Sequence, residues 1–524
     1  MKRIAAGAGV LAALILLGYL LWPMMTLMNK PNRHFFYYQG MVIDVPGGMT
    51  VDESLANAFV RFSKPDLDIK ISKERVPISE SDTGEYVEHY LYKYLLDPEY
   101  RSLNRITLAS RERTEIAGYP ARVFIYQRAA APGSKIRQNE YYHAIIQTGI
   151  KEFYCVFCRS GDIDSQIPAI QSLLASFQRV RIPIVGRPGG SDFKPEPPVW
   201  NDETQAFYSK MKQSRQIMWG LFYPHSITRD YSRFEKIEKE LDYTFPLTLH
   251  YLYLGEPFPT EGMNNAYRHG QTVELTMQVM YNVQPGNTDR RKHNVNFEVM
   301  DGQYDPILHQ FARDLKAFGH PVIFRLNNEM NTTWTPFSGI ALMCDPDLNI
   351  AVWRHIADIF REEGVQNAIW VFNPNDRNYP PMNWNRHFAY YPGNRYVQLV
   401  GLTGYNTGNY YEKTTGEKWR SFSEIYDTIN REYSHYYTAF PWIITEFASS
   451  SVGGDKAEWI RDMFEHVNDY PNLKAAIWWS YTDFDVRPGR GEIPARRYWL
   501  DEKPEYLKAF KEGLDRQRAE AGGK

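Results

Sequence analysis

Along residues 200–524 short apolar runs recur, with amphipathic stretches between them. The runs are Ile217–Tyr223, Leu247–Leu254, Val273–Met280, Val322–Asn327, Ala368–Phe372, Val397–Leu402, Trp442–Thr445 and Ala475–Ser480. Each is nearly continuous in hydrophobicity, which predicts strands buried on both faces. Helical spacing fills most of the gaps, as at Ile307–Phe318, Ala351–Glu363, Phe422–Tyr436 and Lys456–Asn468. Parallel neighbours need such crossovers. Eight strand–helix units predict an α/β fold, a (β/α)8 TIM barrel over residues 200–524. A doubly wound open sheet is the alternative, but no glycine-rich phosphate loop follows the first strand.

Residues 35–182 alternate apolar and polar positions instead. Met41–Val45, Asp68–Ile71, Arg122–Tyr126 and Tyr141–Ile146 read as strands, and Tyr86–Leu96 and Ile167–Phe177 have helical spacing. The pattern predicts a small α+β domain with an antiparallel sheet and no catalytic constellation, suited to a spacer, docking or binding role. Its layout resembles the small α/β/α domains of the photosystem oxygen-evolving P-protein type. Residues 183–199 are rich in Pro and Gly and read as a linker.

No charged residue lies between Arg3 and Lys30, and Ile4–Trp22 is almost wholly apolar. As a helix that run is roughly 28 Å long, near the thickness of a bilayer core. No small-x-small cleavage site follows it. Residues 1–31 are therefore expected to be an uncleaved, single-pass transmembrane helix. The barrel would then lie on the non-cytoplasmic side, periplasmic or extracellular. Charge asymmetry around the run is weak, with Lys2 and Arg3 before it and Lys30 and Arg33 after it.

The net charge of −2, with both signs mixed along the chain, argues against nucleic acid as a partner. Aromatics make up 15% of the residues, including 13 Trp and 37 Tyr, and suit either a sugar-stacking surface or an aromatic core. Three cysteines give no disulfide framework. Cys155 and Cys158 form a C-x-x-C inside a predicted strand, where residues three apart face opposite ways. They read as buried or idle thiols.

In a (β/α)8 barrel the chemistry sits at the C-terminal ends of the strands. There the fourth strand delivers Arg325, Asn328 and Glu329, and the seventh delivers Glu446. Strands four and seven face each other across the mouth, so their carboxyls can flank a sugar. Glycoside hydrolysis needs such a pair, one protonated to release the leaving oxygen and one ionised. The plainer reading is a pair of surface or ion-paired carboxylates. The flanking Asn, Trp and Tyr favour the catalytic one. The Asn328 amide could bond a sugar 2-hydroxyl, and Trp334, Trp370, Tyr405 and Trp478 are candidate walls. Arg325 is either a buried strut bonding a carboxylate or a barrel-layer residue. His225, near the end of strand one, is a further candidate polar contact.

These motifs resemble glycoside hydrolase family 26, within the large clan of barrels that carry catalytic Glu on strands four and seven. The resemblance covers residues 200–515 and rests on several short stretches. They are Arg325…Asn328-Glu329-Met330-Asn331…Trp334, Trp370…Pro374-Asn375, Gly401–Tyr405, Thr445-Glu446-Phe447 and Trp478-Trp479. It implies a retaining β-glycanase, mostly of the endo-β-1,4-mannanase kind with some β-glucanases and xylanases, with a polysaccharide substrate and no cofactor or metal. By resemblance Glu329 is the acid/base and Glu446 the nucleophile, Tyr405 orients the nucleophile, and Trp334 and Trp478 line subsites. One departure stands out: mannanases of the family usually carry His before the acid/base, where this chain has Asn328. A non-catalytic glycan-binding or assembly protein of a cell-surface polysaccharide system, or a transglycosylase using the same residues, fits the same motifs.

Overall fold

The computed structural model of the chain describes residues 32–77, 83–181, 193–225, 227, 230–281 and 292–522. The expected membrane anchor, residues 1–31, lies outside them. Among the described residues no helix is long and apolar enough to cross a membrane. The chain divides into two compact units. One comprises Met1–Ala131, Ile136–Gly189 and Met382–Trp384; the other comprises Pro132–Lys135, Gly190–Pro381 and Asn385–Lys524. Residues 182–192 are outside the described set, and 193–199 have no regular structure.

The first unit is built on a seven-stranded antiparallel sheet. Its order is Thr50–Asp52, Val60–Lys64, Leu67–Arg75, Glu152–Ser160, Glu140–Gln147, Tyr119–Arg128 and Ile106–Ile116. The helix Ile163–Ala175 seals one face, with Ile170, Leu173 and Leu174 against Ile69, Ile71, Ala144, Val156 and Cys158. On the other, Tyr92 stacks at 4.7 Å on Phe124, and His143 lies among Tyr126, Tyr141 and Phe157. Alternate residues thus serve different layers, as the strand period requires. Cys155 and Cys158 form no disulfide and are buried, and burial pushes the Cys158 thiol well above its ordinary range.

The second unit is a closed barrel of eight parallel strands. In order they are Met218–Phe222, Leu247–Tyr253, Thr272–Gln278, Val322–Leu326, Ala368–Phe372, Leu399–Thr403, Trp442–Phe447 and Leu473–Trp479. Each pairs with the next, and the first pairs with the eighth from Met218↔Ala475 to Phe222↔Trp479. Leu247, Leu249, Ile323, Ile369, Val371, Leu399, Ile443, Ala475 and Ile477 meet in the interior. The interior is tight: a Cβ on Gly401 would come within 2.6 Å of Asn373 Cβ. The residues between point outward to the helices. Phe324 and Trp370 pack on Phe360, and Trp370 also meets Trp353 of the helix Pro346–Glu362.

Candidate active site

Strand period fixes which side chains reach the interior. Leu247, Leu249 and Tyr251 of the second strand share one face, as do Glu274 and Thr276 of the third. The seventh strand breaks this rule. Its pairing slips between Trp442 and Ile443 and again between Ile444 and Phe447, while the sixth slips at Leu402/Thr403. Such irregularities re-aim side chains. Here they let the successive residues Thr445 and Glu446 both bond the interior guanidinium of Arg325.

Glu446 is an acceptor in every one of its bonds. Its Oε1 takes Arg325 Nη1 at 2.7 Å and Asn328 Nδ2 at 3.3 Å. Its Oε2 takes the Tyr251 hydroxyl at 2.8 Å and the Tyr405 hydroxyl at 2.9 Å. Burial first, then the nearby Glu446 charge, pushes both phenols well above their ordinary range, so they stay O–H donors. Arg325 is fully buried and spans the barrel floor. Its Nε meets Thr276 Oγ1 at 2.7 Å and Glu274 Oε1 at 2.9 Å, and its Nη1 also reaches Asn373 Oδ1 at 2.6 Å and Thr445 Oγ1 at 3.0 Å.

Glu329 sits just past the fourth strand on a sharply turned backbone. Asn327 has φ 56° and Glu329 φ 55°. For a side chain other than glycine this left-handed region costs about 1–2 kcal/mol, so the surroundings must hold it. They do: Glu329 N donates to Asn373 O at 2.9 Å, Thr332 Oγ1 donates to Glu329 O at 2.7 Å, and Asn327 Oδ1 accepts from Val279 N at 2.8 Å. The carboxyl takes two neutral donors, Asn375 Nδ2 at 2.6 Å and Trp334 Nε1 at 3.0 Å. Burial, and next the charge of Glu446, pushes its pKa up to about 7, against the opposing pull of those two donors.

The structure therefore brings together Arg325, Asn328, Glu329, Trp334, Tyr405 and Glu446. Trp334 is 56% exposed, with its ring beside Glu329 and 5.5 Å from Tyr379. Two expected walls are corrected. Trp370 is 7% exposed and lies in the strand–helix layer. Trp478 is fully buried on the same outer side, among Phe447, Trp459 and Phe510. The inward ring of strand eight is its neighbour Trp479, stacked at 5.8 Å on Phe222 and 5.8 Å from Tyr405. His225 is exposed at φ 63° beyond strand one. The sequence reading missed Tyr251, Glu274 and Trp479 as site residues. All three lie on the inward parity of their strands, which the near-continuous apolar runs do not reveal. Among the described residues no group of three or more His, Cys, Asp or Glu is placed to hold a metal ion.

Residues 282–430 match the model of Glycosyl hydrolase family 26. A curated relative, Endoglucanase H of Acetivibrio thermocellus, is 31% identical over 221 residues, 41% of this chain. The match spans 23% of that relative's length. Among solved structures, a Bacillus family 26 endo-β-1,4-mannanase catalytic domain is similar at 17% identity and a TM-score of 0.46. It covers 63% of this chain and 94% of its own. A family 26 β-mannanase from Bacteroides ovatus is similar at 16% identity and a TM-score of 0.45, covering 60% of this chain and 93% of its own. The resemblance to family 26 read from the sequence is thus met by a family-model match over residues 282–430 and by one curated relative.

Proposed function

We propose that this family 26 barrel is a retaining β-glycoside hydrolase acting on a β-linked polysaccharide, with Glu446 as nucleophile and Glu329 as acid/base. The observation that carries the reading is the opposite surroundings of the two carboxyls. Glu446 accepts four hydrogen bonds, one from a guanidinium, as suits a carboxylate anion. Glu329 has neutral donors and a pKa pushed up to about 7 by burial and by Glu446, so it carries a proton in mildly acidic solution. Environments that set two carboxyls apart in this way support Glu329 as the acid and Glu446 as the nucleophile.

In the first step Glu446 attacks the anomeric carbon while Glu329 gives its proton to the departing glycosidic oxygen. The C–O bond breaks and a glycosyl ester on Glu446 forms. Glu329, now ionised, takes a proton from water. The hydroxide attacks the same carbon, and the ester bond returns its electrons to Glu446. Asn328, whose bond to Glu446 is long at 3.3 Å, can turn its amide to the sugar 2-hydroxyl. Trp334, beside the acid, offers a stacking face on the leaving-group side. Trp479 and Phe222 stand on the nucleophile side.

For the substrate we favour a β-glucan over mannan within the β-glycan class. The name of the endoglucanase relative supports this, as does Asn328 in place of the mannanase histidine. The apolar run Ile4–Trp22 supports single-pass anchoring with the barrel outside the cytoplasm, which membrane fractionation with protease protection tests.

The test of function is a screen of the full chain on mannan, xylan, mixed-linkage β-glucan and cellulose, beside Glu329→Ala and Glu446→Ala. Cleavage of one polymer, lost in both variants, is the expected result. Cleavage untouched by either change refutes the assignment. Binding without cleavage moves the chain to the glycan-binding or assembly reading, and products longer than the substrate to transglycosylation.

A further inference from the structure

Glu274 is a fully buried carboxylate that the proposed reaction does not use. It sits on the third strand, one turn of the pleat below Thr276, which pairs in register with Arg325 of the fourth. Three links join them. Thr276 Oγ1 donates to both carboxylate oxygens of Glu274, at 3.0 and 3.1 Å. The same hydroxyl accepts from Arg325 Nε at 2.7 Å, and Nε also faces Glu274 Oε1 at 2.9 Å. The other end of the guanidinium, Nη1, holds Glu446 at 2.7 Å. Two carboxylates therefore share one cation, and all three side chains are withdrawn from water.

A buried ion pair of this kind stabilises a fold weakly, because desolvation offsets much of the attraction. Its geometric effect is specific. Glu274 and Thr276 fix the Nε edge of the guanidinium on strand three, which sets where Nη1 meets Glu446. Its charge has a second effect. The negative Glu274 takes up part of the Arg325 charge that would otherwise act wholly on Glu446. An unshared guanidinium would hold the Glu446 electrons more tightly and weaken its attack.

We propose that Glu274 is a positioning residue for the nucleophile: it anchors Arg325 and divides the guanidinium charge with Glu446. The inference rests on the function proposed above. Burial, opposed by Arg325 and then helped by the Glu446 charge, pushes the Glu274 carboxyl up to about 7, consistent with a charge that Arg325 does not fully satisfy. The charged and titratable groups that face this pair are Arg325, Tyr251, Tyr405, Glu329 and Asp483.

The test measures kcat/KM against pH for the full chain, on an aryl β-glycoside with a good leaving group and on the polymer identified in the screen. Glu274→Gln keeps the shape and an acceptor but removes the charge. It should lower kcat about tenfold and move the near-neutral limb, where the Glu274 carboxyl still carries charge, to lower pH by about 0.5–1 unit. Glu274→Asp keeps the charge but shortens the reach. It should lower kcat several-fold and leave that limb near its wild-type position. A reduced kcat in Glu274→Gln with an unmoved limb and a lowered Tm means a structural role only, and overturns the proposal. If Glu274→Gln does not fold, Glu274→Asp decides, because wild-type kcat there shows that the carboxylate position is immaterial. Glu329→Ala and Glu446→Ala run in parallel. If either retains wild-type activity, the catalytic assignment itself fails and this inference falls with it. If both are inactive and Glu274→Gln behaves as wild type, this inference alone fails.

Discussion

Asp68 in the first unit is gripped by Arg61 at 2.6 Å and Arg159 at 3.2 Å, whereas Glu274 and Glu446 in the barrel divide the single cation Arg325 between them. The consequences run in opposite directions. Burial works to raise the Asp68 pKa, but the Arg61 hydrogen bond and the charges of Lys70, Arg61 and Arg159 outweigh it and hold the group low. Glu88, ringed by Arg111 and Arg122, is held low in the same way. At the barrel mouth burial wins, and Glu274, Glu329 and Asp483 are all raised. A fold that only needed stability would give each buried carboxylate its own cation. Raised carboxyls clustered at one end of a barrel are what proton transfer near neutral pH requires. The difference separates structural carboxylates from those held ready for chemistry.

The sharpest way to break the comparison is to remove one carboxylate of each kind. Glu446→Ala should lower kcat on the polymer by at least about 1,000-fold, since the covalent route is gone. Glu329→Ala should lose about 10²–10⁴-fold on the polymer and much less on aryl glycosides whose leaving group needs no proton. Azide should then restore turnover in Glu329→Ala and give a glycosyl azide of retained configuration. Asp68→Asn should leave kcat/KM unchanged and cost stability, of order 3–5 kcal/mol for a broken buried pair. A folded Asp68→Asn protein without activity would erase the distinction between the two units.

The next effect concerns neighbouring tryptophans. Trp478→Ala empties a site in the strand–helix layer and should cost about 3–5 kcal/mol, read as a lowered Tm with near-normal KM in the folded fraction. Trp479→Ala should do the reverse, keeping most of the Tm and raising KM about tenfold by loss of a stacking face. Equal effects from the two would mean that inward and outward rings are not distinguished as described.

This pair also shows where sequence reasoning stops. The eight strands were legible because burial on both faces leaves near-continuous apolar runs, and each of the eight observed strands shares an end with the predicted run to within one residue or lies inside it. The strand ends at Glu329 and Glu446 were legible for the same reason. Strand parity was not, because a run such as Ala475–Trp479 is apolar at every position and carries no alternation to set inward from outward. That ambiguity put Trp370 and Trp478 at the mouth, and left out Trp479 and Tyr251. Glu274 was hidden differently. It is a lone acid in a strand, and its meaning comes from Arg325, 51 positions along the chain and brought beside it by register with strand three. The slips in strand seven that turn Thr445 and Glu446 inward together leave no mark in the sequence.

The smallest expected effects sharpen the comparison through their pH dependence. Glu329 is about 7 in the fold and near 4.5 when unfolded, so the native state binds the extra proton between those values. Native stability contributed by that proton is lost as pH rises through about 7. Glu329→Gln should therefore match wild type near pH 4 and exceed it at pH 8, by on the order of 1–3 kcal/mol. Glu88 titrates the other way. Its folded pKa is lowered, so its stabilising effect is present above the unfolded value and is lost as pH falls through the folded one. Its arginines are partly exposed, with Arg111 at 49% and Arg113 at 78%, so solvent screens the interaction and Glu88→Gln should cost no more than about 1 kcal/mol. At pH 8 the two glutamines should shift Tm in opposite directions, upward for the barrel variant and slightly downward for the other. The Glu329 difference should close near pH 4, and the Glu88 difference as pH falls through its lowered folded value. If Glu329→Gln instead destabilised the protein at pH 8, its carboxyl would be of the same kind as Glu88, and the acid/base role would lose its support.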